Sequence, residues 1–471
     1  MRAQAGDGKP GQEDAAARSG YDVSLGGYMS REWSAQFREE GPDVTWGMTE
    51  RERVYSTLFF VPWQVERFVD FGYLLCLDSV LAVLTLLPLR AAVKFGRVGL
   101  GIGKMQPAGG YAAVGTRRRE NSIDSRRSDE PATESSDAAH PPEVLIRGED
   151  INDVAWLVLV ACGALMLCKL DTGAIYHWIR SQEVIKLYVV YNSLEILDRM
   201  LCSFGSDTLE ALASSCGLLS REAAGGRATH AAVFSLASDL MVSIFVQLMH
   251  AVVLMCQAIT FSVAVNSTNN NLLGLLVSNN FVEIKGNIFK RMDFTRVHIL
   301  SLQDVVERFH ISSALCFVLV ESMIHMSSPI PAYHTVRQCA IVLVAEVLVD
   351  VTKHAFLGKY NALRPGIYSE FQRDLSVKAL QYHSGNVHRA LGFHPPAAAA
   401  LVVRIAYAVY VHLTESVLEP GPAAWLQLAG WAGGGYLAML GGKVVLGFVV
   451  RRLAHSYVQY HKERNPTVKR L

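Results

Sequence analysis

The stretch Val233–Val265, VFSLASDLMVSIFVQLMHAVVLMCQAITFSVAV, decides the class of this protein. A hydrocarbon core about 30 Å thick needs roughly 20 apolar helical residues to cross it. This run exceeds that, so it has length to tilt, to break or to extend beyond the bilayer. Six further stretches read the same way: Phe71 to Leu89, Ile151 to Leu170, Ile311 to Met326, Thr335 to Leu357, Ala399 to Leu418, and Trp425 to Val450. Ile311 to Met326 is short and carries Glu321 and His325, so six to eight spans are expected.

Composition agrees with that class. The 471 residues are 51% hydrophobic with a formal net charge of +1, which excludes an ordinary soluble enzyme and gives no electrostatic reason to expect nucleic acid. The eight cysteines form no CxxC unit and sit mainly in apolar runs, where Cys behaves as a small hydrophobe. No disulfide framework is expected, and the polar first twenty residues show no signal peptide. The expected fold class is all-α: a polytopic bundle with amphipathic interfacial helices. Residues 1–48 read as a disordered N-terminal region, 49–116 as the first membrane segment with its juxtamembrane part, and 117–143 as a disordered charged linker. Residues 144–450 form the bundle with its connecting helices, and 451–471 a basic tail.

Basic residues set the orientation, because short Lys- and Arg-rich loops stay in the cytosol. Arg90, Lys94, Arg97 and Lys104 follow the first span, Lys285, Lys290, Arg291 and Arg296 the third, and Lys353, Lys359, Arg364, Arg373 and Lys378 the fifth. The tail adds Arg451, Arg452, Lys462, Arg464, Lys469 and Arg470. With seven spans all four groups share one side, which places the C-terminus in the cytosol. Asn266-Ser267-Thr268 matches a glycosylation sequon, but it lies on that side and hard against a helix, so no glycan is expected.

Between the spans, Val190, Leu194, Leu197, Leu201 and Phe204 follow one helical face, opposed by Asn192, Glu195 and Arg199. This spacing predicts an amphipathic helix ended by Gly205, with Asp207 and Glu210 as the capping box of another. Its apolar face is either a partner-docking surface or a contact with the bundle's own end. From Asn266 to Asp293, Asn-rich breaks separate two short amphipathic helices, the second presenting Phe281, Ile284 and Ile288. Ser301 and Asp304 read as a capping box that launches the next span.

Ionisable residues inside a membrane span are costly and are functional candidates by default. Glu321 and His325 share a helical face, as do Glu346, Asp350, Lys353 and His354; Asp78 and Asp239 stand as isolated acids. Such groups can line a proton or cation path, or they can pair internally, Asp350 with Lys353 or His354; internal pairing is the favoured reading. The spacing defines no metal-ligand motif, and no GxSxG, P-loop, HExxH or kinase signature occurs. No catalytic residue, metal or cofactor is expected.

Several stretches, in this order, resemble one family: ERVYSTLFFVPWQVERFVDFGYLLCLDSVLAVLTLLPLR, IKLYVVYNSLEILDRMLCSFGSDTLEAL, NSTNNNLLGLLVSNNFVEIKGNIFKR, DVVERFH and EVLVDVTKHAFLGKYNALRPGIYSEF. They resemble the transmembrane anterior posterior transformation protein family, also called the pollen-defective-in-guidance or cytomegalovirus-receptor-like family. The resemblance implies a multi-pass protein of the endoplasmic reticulum membrane that is not an enzyme. It implies a helper of secretory and membrane protein folding or quality control, acting with a protein partner in the lipid bilayer and without a small-molecule substrate. Animal members are also linked to centrosomes and cilia. An ion or proton transporter using the intramembrane acids is the alternative reading, and a membrane scaffold for ciliary components a further one.

Overall fold

In the computed structural model, the described residues are 54–99, 148–182, 184–224, 229–266, 286, 290–325, 329–361, 363–364, 366–382, 387–416 and 422–464. Regular structure among them is helical throughout. Residues 1–48 and 117–143, and Phe281, Ile284 and Ile288, lie outside the described residues.

The first span begins as α1 (Val61–Leu81), passes through a π-helical stretch at Ala82–Leu86, and continues as α2 (Leu87–Gly99). Pro88 has no N–H with which to close an ordinary turn, and the π stretch sits just before it. The chain then forms α3 (Gly148–Lys169), α4 (Thr172–Arg180), α5 (Val184–Ala224) and α6 (His230–Val265). An antiparallel pair follows, α7 (Phe294–His325) and α8 (Pro329–Tyr360), then α9 (Ile367–Gln381) and the single turn α10 (His388–Leu391). The last two helices are α11 (Pro395–Ser416) and α12 (Pro422–Arg464).

Among the described residues, five helices are by length and composition apolar enough to cross a membrane: Ser56–Lys94, Gly148–Lys169, His230–Val265, Pro395–Thr414 and Leu426–Glu463. The stretches Ile311 to Met326 and Thr335 to Leu357 lie on α7 and α8 and are not among them. Arg308, Glu321, Arg337, Glu346, Asp350 and Lys353 make these two helices too polar; Arg308, Glu346, Asp350 and Lys353 are turned inward, whereas Arg337 is exposed.

Two apolar clusters hold the bundle. One gathers Phe68, Leu75 and Leu159 with Phe309, Phe371 and Phe393; the other gathers Leu167, Leu254, Met255 and Val318 with Ala397 and Leu401. Ala397, Ala398, Ala399 and Ala400 are almost fully buried, and Gly163 of α3 faces Ala400 so closely that an added Cβ would lie 3.1 Å from that methyl carbon. Small residues let these backbones approach, which is how helices pack where lipid removes the hydrophobic drive to associate.

Two expected boundaries are corrected. Gly205 does not end a helix; α5 runs through it, and a Cβ there would lie 2.5 Å from the His394 ring, so the glycine makes room for that imidazole. Asp207 and Glu210 therefore cap nothing. Ser301 and Asp304 are likewise inside α7, whose start is marked by the Arg296 amide donating to the Asp293 carboxylate at 3.3 Å. The Ser301 hydroxyl donates back to the Val297 carbonyl at 2.8 Å, and Asp304 is directed to α8. Asn266 closes α6, its side-chain amide 3.3 Å from the Ser262 hydroxyl.

Candidate functional site

Helix α5 has apolar residues on both its buried and its exposed face. The face predicted to dock is the outward one: Leu197 and Phe204 are exposed, and Val190, Leu194 and Leu201 are half-buried. The face turned inward carries Leu187, Tyr191, Asp198, Cys202, Gly205, Leu209 and Leu212. It lies antiparallel along α6, as the pairs Tyr191 with Phe261, Cys202 with His250, and Thr208 with Ser243 show. An exposed apolar stripe beside a buried face that carries one carboxylate suits lipid, because tails replace water as the outer solvent.

The inward face meets two histidines. The Asp198 carboxylate takes His250 Nε2 of α6 at 2.8 Å on one oxygen and His310 Nδ1 of α7 at 2.8 Å on the other. The second nitrogen of His250 lies 3.2 Å from His394 Nδ1, and the two rings stack with centroids 5.2 Å apart. The Cys202 sulfur stands 3.8 Å from His250 Nε2. Asp198, Cys202 and His310 also line a cavity of about 360 Å³, with Glu195, Arg199, Glu307 and Gln257 around it. Arg199 bridges Glu195 and Glu307 at 2.8 Å each, tying the cavity wall of α5 to α7.

One turn earlier on α7 begins a second network, shared with α8. Lys353 Nζ donates to Asp304 at 2.7 Å and approaches Asp350 at 3.2 Å; His354 Nε2 meets the other Asp304 oxygen at 2.6 Å. His354 Nδ1 lies 2.9 Å from the Tyr368 hydroxyl of α9. Arg308 reaches Asp350 at 2.8 Å and Glu66 of α1 at 2.7 Å. Asp304, Asp350, Lys353 and His354 are each at most 1% exposed. Burial of charge at that depth requires opposite charge and hydrogen bonds at contact distance, and the network supplies them from four helices.

The candidate residues are thus partly brought together. Asp350, Lys353 and His354 form one network, and Glu346 is buried on the same helix. Glu321 is half-buried toward the α7–α8 turn, where Ser322 meets Thr335 at 3.2 Å, more than two helical turns from the network. His325 is the last residue of α7, and its side chain lies outside the described residues. Asp78 is not isolated: Lys443 of α12 donates to it, both side chains buried. Asp239 accepts from the Ser215 hydroxyl of α5.

Sequence reasoning missed Glu66, Asp198, His250, Asp304, Arg308, His310, Tyr368 and His394. A signal was present for some of them. Asp198 and Cys202 are four residues apart, as are Asp304 and Arg308, so each pair shares a helical face. The stretches NSLEILDRMLC, DVVERFH and EVLVDVTKH carry most of both networks.

These features define an all-helical, multi-pass membrane protein that turns polar chemistry inward and apolar surface outward. Residues 146–459 match the eukaryotic membrane protein family, and the chain belongs to it. It is 33% identical over 417 residues to Protein POLLEN DEFECTIVE IN GUIDANCE 1 of Arabidopsis thaliana, covering 88% of this chain and 60% of that protein. It is 32% identical to the Transmembrane anterior posterior transformation protein 1 homologs of Danio rerio, over 395 residues, and Homo sapiens, over 393. Those alignments each cover 82% of this chain and 62% of the relative, so the chain spans less than two thirds of these curated relatives. No solved structure matches.

Proposed function

We propose that this protein acts in the endoplasmic reticulum membrane as a non-enzymatic, partner-binding factor in secretory and membrane protein folding or quality control. The observation that carries this reading is the closure of the α7–α8 charge network. Asp304, Arg308, Asp350, Lys353 and His354 are all matched by side chains of other helices, which serves a rigid bundle better than an ion path. What the bundle offers outward is apolar helix surface. On α5 this includes Val189, Ile196, Met200 and Phe204; on α12 it includes Leu426, Leu437, Val444, Val445 and Phe448, all exposed. Such surfaces suit lipid tails and the membrane helices of other proteins, not a soluble substrate. The basic residues of the last part of α12 and beyond it, Arg451, Arg452, Lys462, Arg464, Lys469 and Arg470, support a cytosolic C-terminus.

Affinity purification of the full chain from native membranes, followed by mass spectrometry, tests the reading. Recovery of endoplasmic reticulum folding factors, with faster turnover of secretory proteins in cells lacking this protein, is the expected result. Proton or cation flux in reconstituted vesicles, abolished by replacing Glu346 and Asp350 together, would establish the transporter instead. Cytoskeletal partners recovered without any lumenal ones would favour the scaffold.

A further inference from the structure

The cluster around Asp198 has the composition of a transition-metal site. Asp198 and Cys202 come from successive turns of α5, His250 from α6 and His310 from α7. One potential ligand atom from each, an oxygen, a sulfur and two imidazole nitrogens, lies within 4.8 Å of all the others. Exposure is 6%, 6%, 0% and 4% respectively, so bulk water does not solvate the carboxylate. The Arg199 guanidinium in the cavity wall is held by Glu195 and Glu307. Without a cation the Asp198 charge is met by two imidazoles alone, His250 Nε2 on one oxygen and His310 Nδ1 on the other.

We propose that Asp198, Cys202, His250 and His310 bind one zinc ion that fastens α5 to α6 and α7. Zinc takes four such ligands in a tetrahedron, and bond lengths of 2.0–2.3 Å place neighbouring ligand atoms roughly 3.3–3.6 Å apart. The Cys202 sulfur already stands 3.8 Å from His250 Nε2, and each imidazole holds a different Asp198 oxygen at 2.8 Å, so small side-chain rotations bring one oxygen, the sulfur and both nitrogens to that spacing. Ionised Asp198 and Cys202 together carry two negative charges, so zinc leaves the buried cluster neutral; the cysteine proton is released on binding. Coordination through His250 Nε2 puts its remaining proton on Nδ1, facing His394 Nδ1 at 3.2 Å as acceptor. An outer partner that orients a ligating histidine is a recurrent feature of metal sites. The mixed nitrogen, sulfur and oxygen set favours zinc over magnesium or calcium, which prefer oxygen alone. With all four positions filled from the protein, the role is structural.

The test uses full-length protein, purified in detergent from membranes of zinc-supplied cells without chelators. Elemental analysis is expected to find about one zinc per chain, reduced on the order of tenfold in Cys202→Ser and in His310→Ala. Replacement by cobalt(II) is expected to give the intense visible bands of a tetrahedral site, with a thiolate-to-cobalt band that Cys202→Ser removes. A monodisperse wild-type protein with less than about 0.1 equivalent of metal, and no cobalt spectrum, would overturn the proposal. So would metal retained in full by both variants, which places it elsewhere. Because the cobalt spectrum is read on wild-type protein, the result does not depend on either variant folding, and it stands apart from the proposed role in protein folding.

Discussion

Arg308 of α7 contacts Asp350 of α8 at 2.8 Å while its other terminal nitrogen contacts Glu66 of α1 at 2.7 Å, so one guanidinium joins three helices. Removing one partner of a buried ion pair leaves an uncompensated charge. Arg308→Met is expected to cost about 3–5 kcal/mol, and the double variant Arg308→Met with Asp350→Leu distinctly less than the sum of the singles. Unfolding followed by tryptophan fluorescence in detergent measures both. Additive losses would show that the contact is not an energetic pair.

Glycine at position 205 is required by the His394 ring and not by helix termination. Gly205→Ala is therefore expected to destabilise by about 1–3 kcal/mol, through displacement of a buried imidazole. Gly217, on the same helix with nothing within 4 Å of an added Cβ, supplies the control. There Ala is expected to be neutral or stabilising by up to about 1 kcal/mol, since helix propensity acts without a clash. Equal effects at the two positions would refute the packing explanation.

The outward face of α5 is expected to touch lipid. Nitroxide labels at positions 197, 200 and 204 in nanodiscs should relax faster with oxygen, which concentrates in the bilayer, than with a water-soluble nickel chelate. The reverse preference would put this face in water. Phe204→Asp should lower the yield of folded protein far more than Phe204→Leu, because a charge facing lipid is costly.

Asp78 and Lys443 connect the first and last described spans within the apolar layer. Lys443→Met leaves a buried carboxylate and is expected to loosen α12 from α1. Met at 443 combined with Asn at 78 should restore much of the loss, because neither side chain then carries a charge. A cysteine pair replacing Thr85 and Tyr436, whose hydroxyl donates to the Thr85 carbonyl at 2.7 Å, reports the separation through its rate of cross-linking.

His298, near the start of α7, packs on Phe371 with centroids 4.5 Å apart and the rings tilted by 44°. Burial lowers its pKa, Lys378 of α9 lowers it further, and Asp374 opposes the shift. The folded state thus prefers the neutral ring. Its contribution is fully present above the unfolded value of about 6.5 and declines as pH falls through that value toward the lower folded one. Tm should fall on acidification from neutral pH, and His298→Phe should flatten that part of the profile. An unchanged profile would assign the acid sensitivity to other groups.

The spans at α1, α3, α6, α11 and α12 were legible as apolar runs, because a bilayer demands length and hydropathy and both are local properties. The existence of α5 was legible from its periodicity, and so were the two faces it presents. Which face turns inward was not. Periodicity alone would bury the side of Leu194, Leu197 and Phe204; in the fold Leu197 and Phe204 are exposed, Leu194 is half-buried, and Asp198, Cys202 and Gly205 pack inward. Internal pairing of Asp350 with Lys353 was foreseen, yet the shorter contacts of both residues come from Arg308 and Asp304 on α7. Asp198, His250, His310 and His394 are likewise far apart in the chain. The sequence by itself determined the five apolar spans, the membrane character and the family, because each follows from residues near one another. Only the tertiary structure decided which charges meet and where four metal-capable side chains converge, because those depend on how separate helices rotate and cross.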